Sequence, residues 1–210
     1  MKNLIKLVFV LYILTTGLGL RAQSPKFDSY KILKNRKGVE VNCVFQDNQG
    51  YIWLGTQYGL VQYDGVDFVL FTKKDSLYDN EISSINQGSD GKLWIGHQSG
   101  KISLYDGGQF TRFNPEEGLP IEEISSFFVN KRDVICFSTY GEGVYYYTGE
   151  NRKRLYNINK DDGLLDNYVY DIVQDRDSTL YFATDKGISV YDLKNKEFID
   201  EITMLDGLPD

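Results

Sequence analysis

The chain has 210 residues, a formal net charge of −7 and 14% aromatic residues, with 20 glycines and only 4 prolines. The length suits one sizeable domain, and the acidity makes nucleic acid or an anionic membrane surface a poor partner. Sixteen tyrosines and twelve phenylalanines suit strands better than helices.

The first 22 residues stand apart. Lys2 and Lys6 precede an uncharged run over 7–20, and Arg21 and Ala22 close it. A basic start, an apolar stretch and a small residue predict a signal peptide over 1–22, cleaved after Ala22. The run is short against the ~20 residues of a spanning helix. Leu20 departs from the small residue usual at its place before the cut, which leaves the exact bond open, and an uncleaved anchor is the alternative. Export permits disulfides. Cys43 and Cys136 nevertheless each sit in an apolar strand pattern and read as buried free thiols.

After the leader, residues 27–33 read as a strand with no three strands before it. The next unit reads as four strands. Residues 41–46 alternate and end at the turn Asp47-Asn48-Gln49-Gly50, and 51–56 are rich in aromatic and branched residues. A tight connection at Gln57-Tyr58-Gly59 leads to a strand over 60–63, Asp64-Gly65 turns the chain, and 67–72 closes the unit. The pattern then recurs. IWLGTQYGLVQYDG (52–65), LWIGHQSGKISLYDG (93–107), ICFSTYGEGVYYYTG (135–149) and LYFATDKGISVYDL (180–193) align, with spacings of 41, 42 and 45 residues between their second positions. A second landmark, Leu77, Leu119, Leu164 and Leu208 after Ser or Gly, is spaced 42, 45 and 44. A period of 40–45 residues with four strands per unit is the signature of a propeller blade.

The sequence therefore predicts an all-β chain of β-propeller blades: four four-stranded antiparallel blades, about 40–73, 81–113, 123–158 and 168–203, plus an orphan N-terminal strand at 27–33. Residues 206–210 repeat the entry to a further unit. With the orphan strand they predict a partial propeller over 23–210, truncated relative to a closed ring. A blade cannot cover both its apolar faces alone, so Trp53 and Trp94 are expected in the layers between blades. Exposed blade edges would favour self-association.

The chemistry of sites is sparse. His97 is the one histidine, and no cluster of His or Cys accompanies it, so neither a metal nor another cofactor is expected. Gly141-Glu142-Gly143 lacks the following helix of a phosphate loop and reads as a turn. Asp175-Arg176-Asp177 resembles the start of a calcium loop. Leu180 and Lys186 stand where such a loop needs Gly and Glu, so it reads as a hairpin tip. Glu122, Glu123, Asp161, Asp162 and Asp166 fall near blade entries and read as solvated surface rather than a catalytic pair. If a ligand binds, the loops between second and third strands gather with the blade entries at one mouth. They offer Gln57, Tyr58, His97, Gln98, Tyr140, Glu142, Asp185 and Lys186, which differ among blades while the strands repeat.

The blade motif, I/L-W-L/I-G-T/H followed by a Gly turn and Y-D-G, resembles the two-component regulator propeller repeat. QDNQGYIWLGTQYGLVQYDG (46–65) and GLPIEEISSF (118–127) carry the resemblance most strongly. It extends over 27–210 and is weaker where Cys136-Phe137-Ser138 and Tyr181-Phe182-Ala183 replace Trp-x-Gly. The resemblance implies part of a seven-bladed propeller, the periplasmic sensor domain of a Bacteroidetes hybrid two-component system. It also implies a glycan breakdown product or similar small ligand, and a histidine kinase outside these residues. On that reading the chain is a non-catalytic input module. A secreted protein-interaction propeller, or a polysaccharide lyase or glycosidase propeller, is the alternative.

Overall fold

The structure, a computed structural model, describes residues 29–33, 36–115, 118–129, 135–147, 155–175 and 179–209. The expected signal peptide lies outside them. Among the described residues no helix is long and apolar enough to cross a membrane. The chain divides into two compact units, Met1–Lys31 and Ile32–Asp210, and among the described residues all regular strands fall in the second.

That unit holds four four-stranded antiparallel sheets, each in simple up-and-down order. Blade 1 comprises β1 (Val41–Gln46), β2 (Ile52–Thr56), β3 (Gly59–Tyr63) and β4 (Phe68–Phe71). Blade 2 comprises β5 (Ile82–Gln87), β6 (Leu93–His97), β7 (Ile102–Asp106) and β8 (Gln109–Arg112). Blade 3 comprises β9 (Ile124–Val129), β10 (Ile135–Thr139), β11 (Val144–Tyr147) and β12 (Leu155–Ile158), and blade 4 comprises β13 (Val169–Gln174), β14 (Thr179–Thr184), β15 (Gly187–Asp192) and β16 (Glu197–Ile202). The first strands β1, β5, β9 and β13 neighbour one another in turn, so they are the inner strands around the propeller axis. Residues 29–33 of the expected N-terminal strand join none of these sheets, whose outer positions are filled by β4, β8, β12 and β16.

Three apolar cores lie between successive blades. Trp53, Leu60, Leu77, Ile82 and Ile95 fill the first, Trp94, Ile124, Phe137 and Tyr147 the second, and Cys136, Leu164, Val169 and Phe182 the third. Trp53 and Trp94 are 0% and 1% exposed, as the blade argument requires. Trp53 meets Tyr105 of blade 2 edge-on at 5.0 Å, while its indole N–H donates to Asp47 Oδ2 at 2.7 Å. The same aspartate accepts from the Gln49 and Tyr51 amides, so one side chain closes the β1–β2 turn and satisfies the buried indole. Both cysteines are free; burial pushes the Cys136 thiol up to about 12.

Each joint between blades repeats one construction. The inner strand begins with a β-branched residue (Val41, Ile82, Ile124 or Val169), followed in every blade by a register shift against the second strand. Ile82 packs on Gly55 of the preceding blade and Ile124 on Gly96. A Cβ on Gly55 would lie 2.8 Å from Ile82 Cγ2, and one on Gly96 would lie 2.8 Å from Ile124 Cβ. The residue after the β-branched one reaches across to the next blade. Asn42 donates to the Ile82 carbonyl at 2.8 Å, Ser83 to that of Ile124 at 2.7 Å, and Ser125 to that of Val169. The bulge aims these side chains sideways.

The Leu landmark marks a 3₁₀ turn that strand patterning did not reveal. Lys73–Asp75, Lys160–Asp162 and Met204–Asp206 each have a capping box, closed by Thr72 with Asp75, Asn159 with Asp162, and Thr203 with Asp206. The next residue is left-handed. It is Gly163 and Gly207 in two cases, but Ser76, at φ 77°, in the first. Leu77 and Leu164 then plug the joints.

Two stability measurements test these devices by urea unfolding. Gly96→Ala forces a methyl against Ile124 and should cost ~1–3 kcal/mol, whereas Ala183→Gly, at the same register position of blade 4, should cost no more than ~1 kcal/mol. Ser76→Gly removes the left-handed strain and should add ~0.5–1 kcal/mol; a loss of stability would show that Ser76 is not strained.

Candidate functional site

The loops between second and third strands do meet the blade entries. The Gln98 amide donates to the Glu81 carbonyl at 3.1 Å, that of Tyr140 to Glu123 at 3.1 Å, and that of Asp185 to Tyr168 at 3.2 Å. In blade 1 the contact runs the other way, from the Glu40 amide to Gln57 Oε1 at 2.8 Å. Glu40, Glu81, Glu123 and Tyr168 therefore occupy the same place in their blades, one residue before each inner strand.

Beside this mouth lies a cavity of about 410 Å³ along the axis. Its wall comes from three blades: Asn42 and Cys43 of β1, Ser83 to Asn86 of β5, and Ser125 to Phe127 of β9, with Gln98, Glu123 and Tyr140 at the rim. Of the eight residues read from the sequence, Gln98 and Tyr140 meet here. The inner-strand serines and asparagines escaped that reading. The signal for them was present: N-C-V-F, S-S-I-N and S-S-F-F put polar residues at the second or third place of strands expected to be apolar.

The other six residues have different employments. Gln57 also donates to the Gly38 carbonyl at 2.9 Å, and the Arg36 guanidinium lies 4.2 Å over the Tyr58 ring. Glu142 caps the entry to blade 3. Its Oε1 accepts from the amides of Ile121 at 2.9 Å and Glu122 at 3.2 Å, and its Oε2 accepts from the Tyr145 hydroxyl at 2.6 Å. The entries to blades 2 and 4 are held by serines instead. Ser103 accepts from the Tyr78 amide at 2.9 Å, and Ser189 from the Leu165 amide at 3.1 Å. Blade 3 has Pro120 at that position. A proline has no N–H to give, and Glu142 takes the following two amides instead. Asp185 accepts from Tyr170 at 2.9 Å, and Lys186 pairs with Asp166 at 2.9 Å. Both line a second cavity of about 480 Å³ on blade 4, with Ala183, Ile188, Met204 and Leu208.

His97 corrects the expectation that it lines the mouth. It is 0% exposed, its Nε2 lies 2.8 Å from Ser103 Oγ, and its Nδ1 has no hydrogen-bond partner. The ring fills the blade interior where the other blades place Thr56, Thr139 and Thr184, because β6 turns it inward with the strand's last residue. Burial lowers its pKa from 6.5 to about 4, outweighing the attraction of Asp79. Asp79 itself is held low by the Asn80 amide and Lys73 against the opposing effect of its own burial. Among the described residues no three His, Cys, Asp or Glu side chains gather closely enough to hold a metal ion.

The electrostatics of the mouth are acidic. Burial raises the pKa of Glu123, and the nearby Glu81 carboxylate raises it further. Tyr140 is raised by burial and then by Glu123 and Asp171. Its ring packs edge-on against Tyr170 at 5.6 Å.

The comparisons agree with this geometry. The two component regulator propeller model matches residues 35–58 and 163–186, which run through the β1–β2 hairpin of blade 1 and from the Gly163-Leu164 landmark into blade 4. Two segments of the chain, 48 of its 210 residues, are therefore similar to this family. The extracellular domain of a putative hybrid two component system from B. thetaiotaomicron superposes with a TM-score of 0.77 at 23% identity, covering 90% of this chain and 26% of that one. A second such domain from the same organism gives 0.66 at 26% identity, covering 85% and 23%. Virginiamycin B lyase from Staphylococcus aureus gives 0.61 at 14% identity, covering 78% and 55%, a likeness of fold alone. The chain spans about a quarter of the length of the two-component domains it matches. No curated protein matches the sequence. The propeller is related to extracellular sensor domains of two-component systems.

The buried imidazole gives a pH test. Between pH 6.5 and about 4 the unfolded chain binds a proton at His97 that the native blade refuses, so its contribution lowers stability as pH falls through that window. The full effect is on the order of 3 kcal/mol. In His97→Thr, urea unfolding at pH 7 and pH 4.5 should differ by correspondingly less than in the parent; equal acid losses in both proteins would refute the assignment.

Proposed function

We propose that this chain is the ligand-sensing module of an exported two-component sensor. In this reading its axial cavity binds a fragment of a glycan, and the chain performs no catalysis of its own. The observation that carries the reading is the cavity itself. Three blades of a repeated scaffold contribute to it, and its wall departs from the repeat at particular places: Asn42 and Cys43 stand where β5 and β9 both carry Ser-Ser, Asn86 stands where blade 3 has Phe128, and Tyr140 stands where blade 2 has Gln98. Variation confined to a shared concavity, on strands that otherwise recur, is what a ligand site grafted on a repeat looks like. Tyr140, packed edge-on against Tyr170, adds an aromatic ring to the rim beside polar groups, a combination that suits the apolar face and hydroxyl edge of a sugar ring.

Two of the carboxylates near the blade entries, Asp162 and Asp166, have structural partners that weigh against their serving a glycosidase. Asp162 closes a capping box, and Asp166 is paired with Lys186 at 2.9 Å and lies 3.8 Å from Lys160. The signal-peptide pattern and the extracellular placement of the similar domains support a periplasmic location.

Calorimetry of the full chain against a panel of neutral and charged oligosaccharides tests the proposal. A saturable heat with at least one fragment is expected, and Tyr140→Ala should weaken it by ~10-fold, about 1.4 kcal/mol. Absence of heat with every fragment, from protein that unfolds cooperatively, would sink the reading.

A further inference from the structure

The hydroxyl hydrogens of the serines in the cavity wall are already committed. Ser83 and Ser84 both donate to the Ile124 carbonyl, at 2.7 and 3.1 Å. Ser125 donates to the Val169 carbonyl, and Ser126 to Asp171 Oδ1 at 2.6 Å. A hydroxyl has a single hydrogen. With it fixed across the joint, each serine turns only lone pairs towards the cavity. Asn42 and Asn86 each direct one amide N–H to a carbonyl, of Ile82 at 2.8 Å and of Phe127 at 2.7 Å, and Asn86 Oδ1 accepts from the Gln87 amide. The joint that assembles the propeller thus dictates the polarity of its axial wall.

The charges point the same way. Glu123 stands at the rim with Glu81 close enough to disturb its ionisation, and Asp171 receives the Ser126 hydroxyl. None of the described residues lining the cavity is a lysine or an arginine. An anion entering would face lone pairs and carboxylates with no cation to meet it, and like-charge contacts of that kind are strongly unfavourable. A ligand that donates meets the serine lone pairs and the Glu123 carboxylate. The acceptors are spread over three strands rather than gathered on one point, which suits an organic cation better than a bare metal ion.

We infer that the axial cavity selects its ligand through a protonated amine, seated between Glu123 and the lone pairs of the inner-strand serines. The inference rests on the reading of the cavity as the ligand site and adds the charge class of what it takes. Ammonium groups donate three hydrogen bonds and accept none, the complement of this wall. An amino sugar with a free amine and an alkyl diamine share that chemistry.

Calorimetry of the full chain with four probes decides it: glucosamine, cadaverine, glucose and glucuronate. Glucosamine should bind at least ~10-fold more tightly than glucose, and glucuronate should not bind. A heat with cadaverine would show that the amine suffices, and a heat with glucosamine alone that the sugar ring is also read. Added salt should weaken the amine and leave glucose unchanged. Glu123→Gln should remove the preference for the amine, and in the parent the preference should fade as pH drops through the raised pKa of Glu123. Glucuronate binding as tightly as glucosamine would overturn the charge inference, as would failure of both amines to bind. The cavity reading fails separately, if heats observed in the parent are untouched by Gln98→Ala and Tyr140→Ala.

Discussion

Everything in this molecule depends on the joint between neighbouring blades. Ile82 and Ile124, at the starts of β5 and β9, seat on the second strand of the blade before, where Gly55 and Gly96 leave room. The adjacent Asn or Ser then ties that strand to the next carbonyl along the ring. The apolar half of the joint supplies the driving force, because a single twisted sheet of four strands leaves its faces wet. The polar half fixes the register and the angle.

The joint also makes the site. Inner strands held side by side enclose an axial space, and the groups that hold them are the groups that line it. The serine hydroxyls are oriented by the scaffold before any ligand arrives, which preorganises the wall and fixes its sense as accepting. The loops at the mouth are then free to differ. Pro120 forces one such difference: it removes the amide that Ser103 and Ser189 accept elsewhere, and Glu142 with Tyr145 replaces the missing contact. A residue that looked like a candidate for ligand contact is thereby explained as a cap.

Blade 4 departs from the pattern where the other blades agree. Tyr170 stands in the position of Asn42, Ser83 and Ser125, and its hydroxyl turns to Asp185 instead of to a neighbouring strand. Its ring packs on Tyr140, so the change converts a joint element into part of the mouth. The second cavity lies beside it, on the face where Ala183 holds the register position of Gly55 and Gly96.

The sequence by itself determined the architecture. Strand-length alternation, Gly and Asp at the turns, and two landmarks repeating every 41 to 45 residues left one economical answer, because a blade repeat is encoded locally and each copy confirms the others. It also placed Trp53 and Trp94 in the cores, since only burial between blades accounts for two large rings at the same place in successive units. Tertiary structure decided the rest. Whether a polar residue on an inner strand faces solvent or reaches the next blade depends on a register shift of one residue, which a periodic pattern does not display. Whether His97 meets ligand or core depends on which way the last residue of β6 turns. Hence Gln98 and Tyr140 could be read from loop position, while Ser83, Ser84, Ser125 and Ser126 could not: their role exists only when strands some 40 residues apart lie side by side.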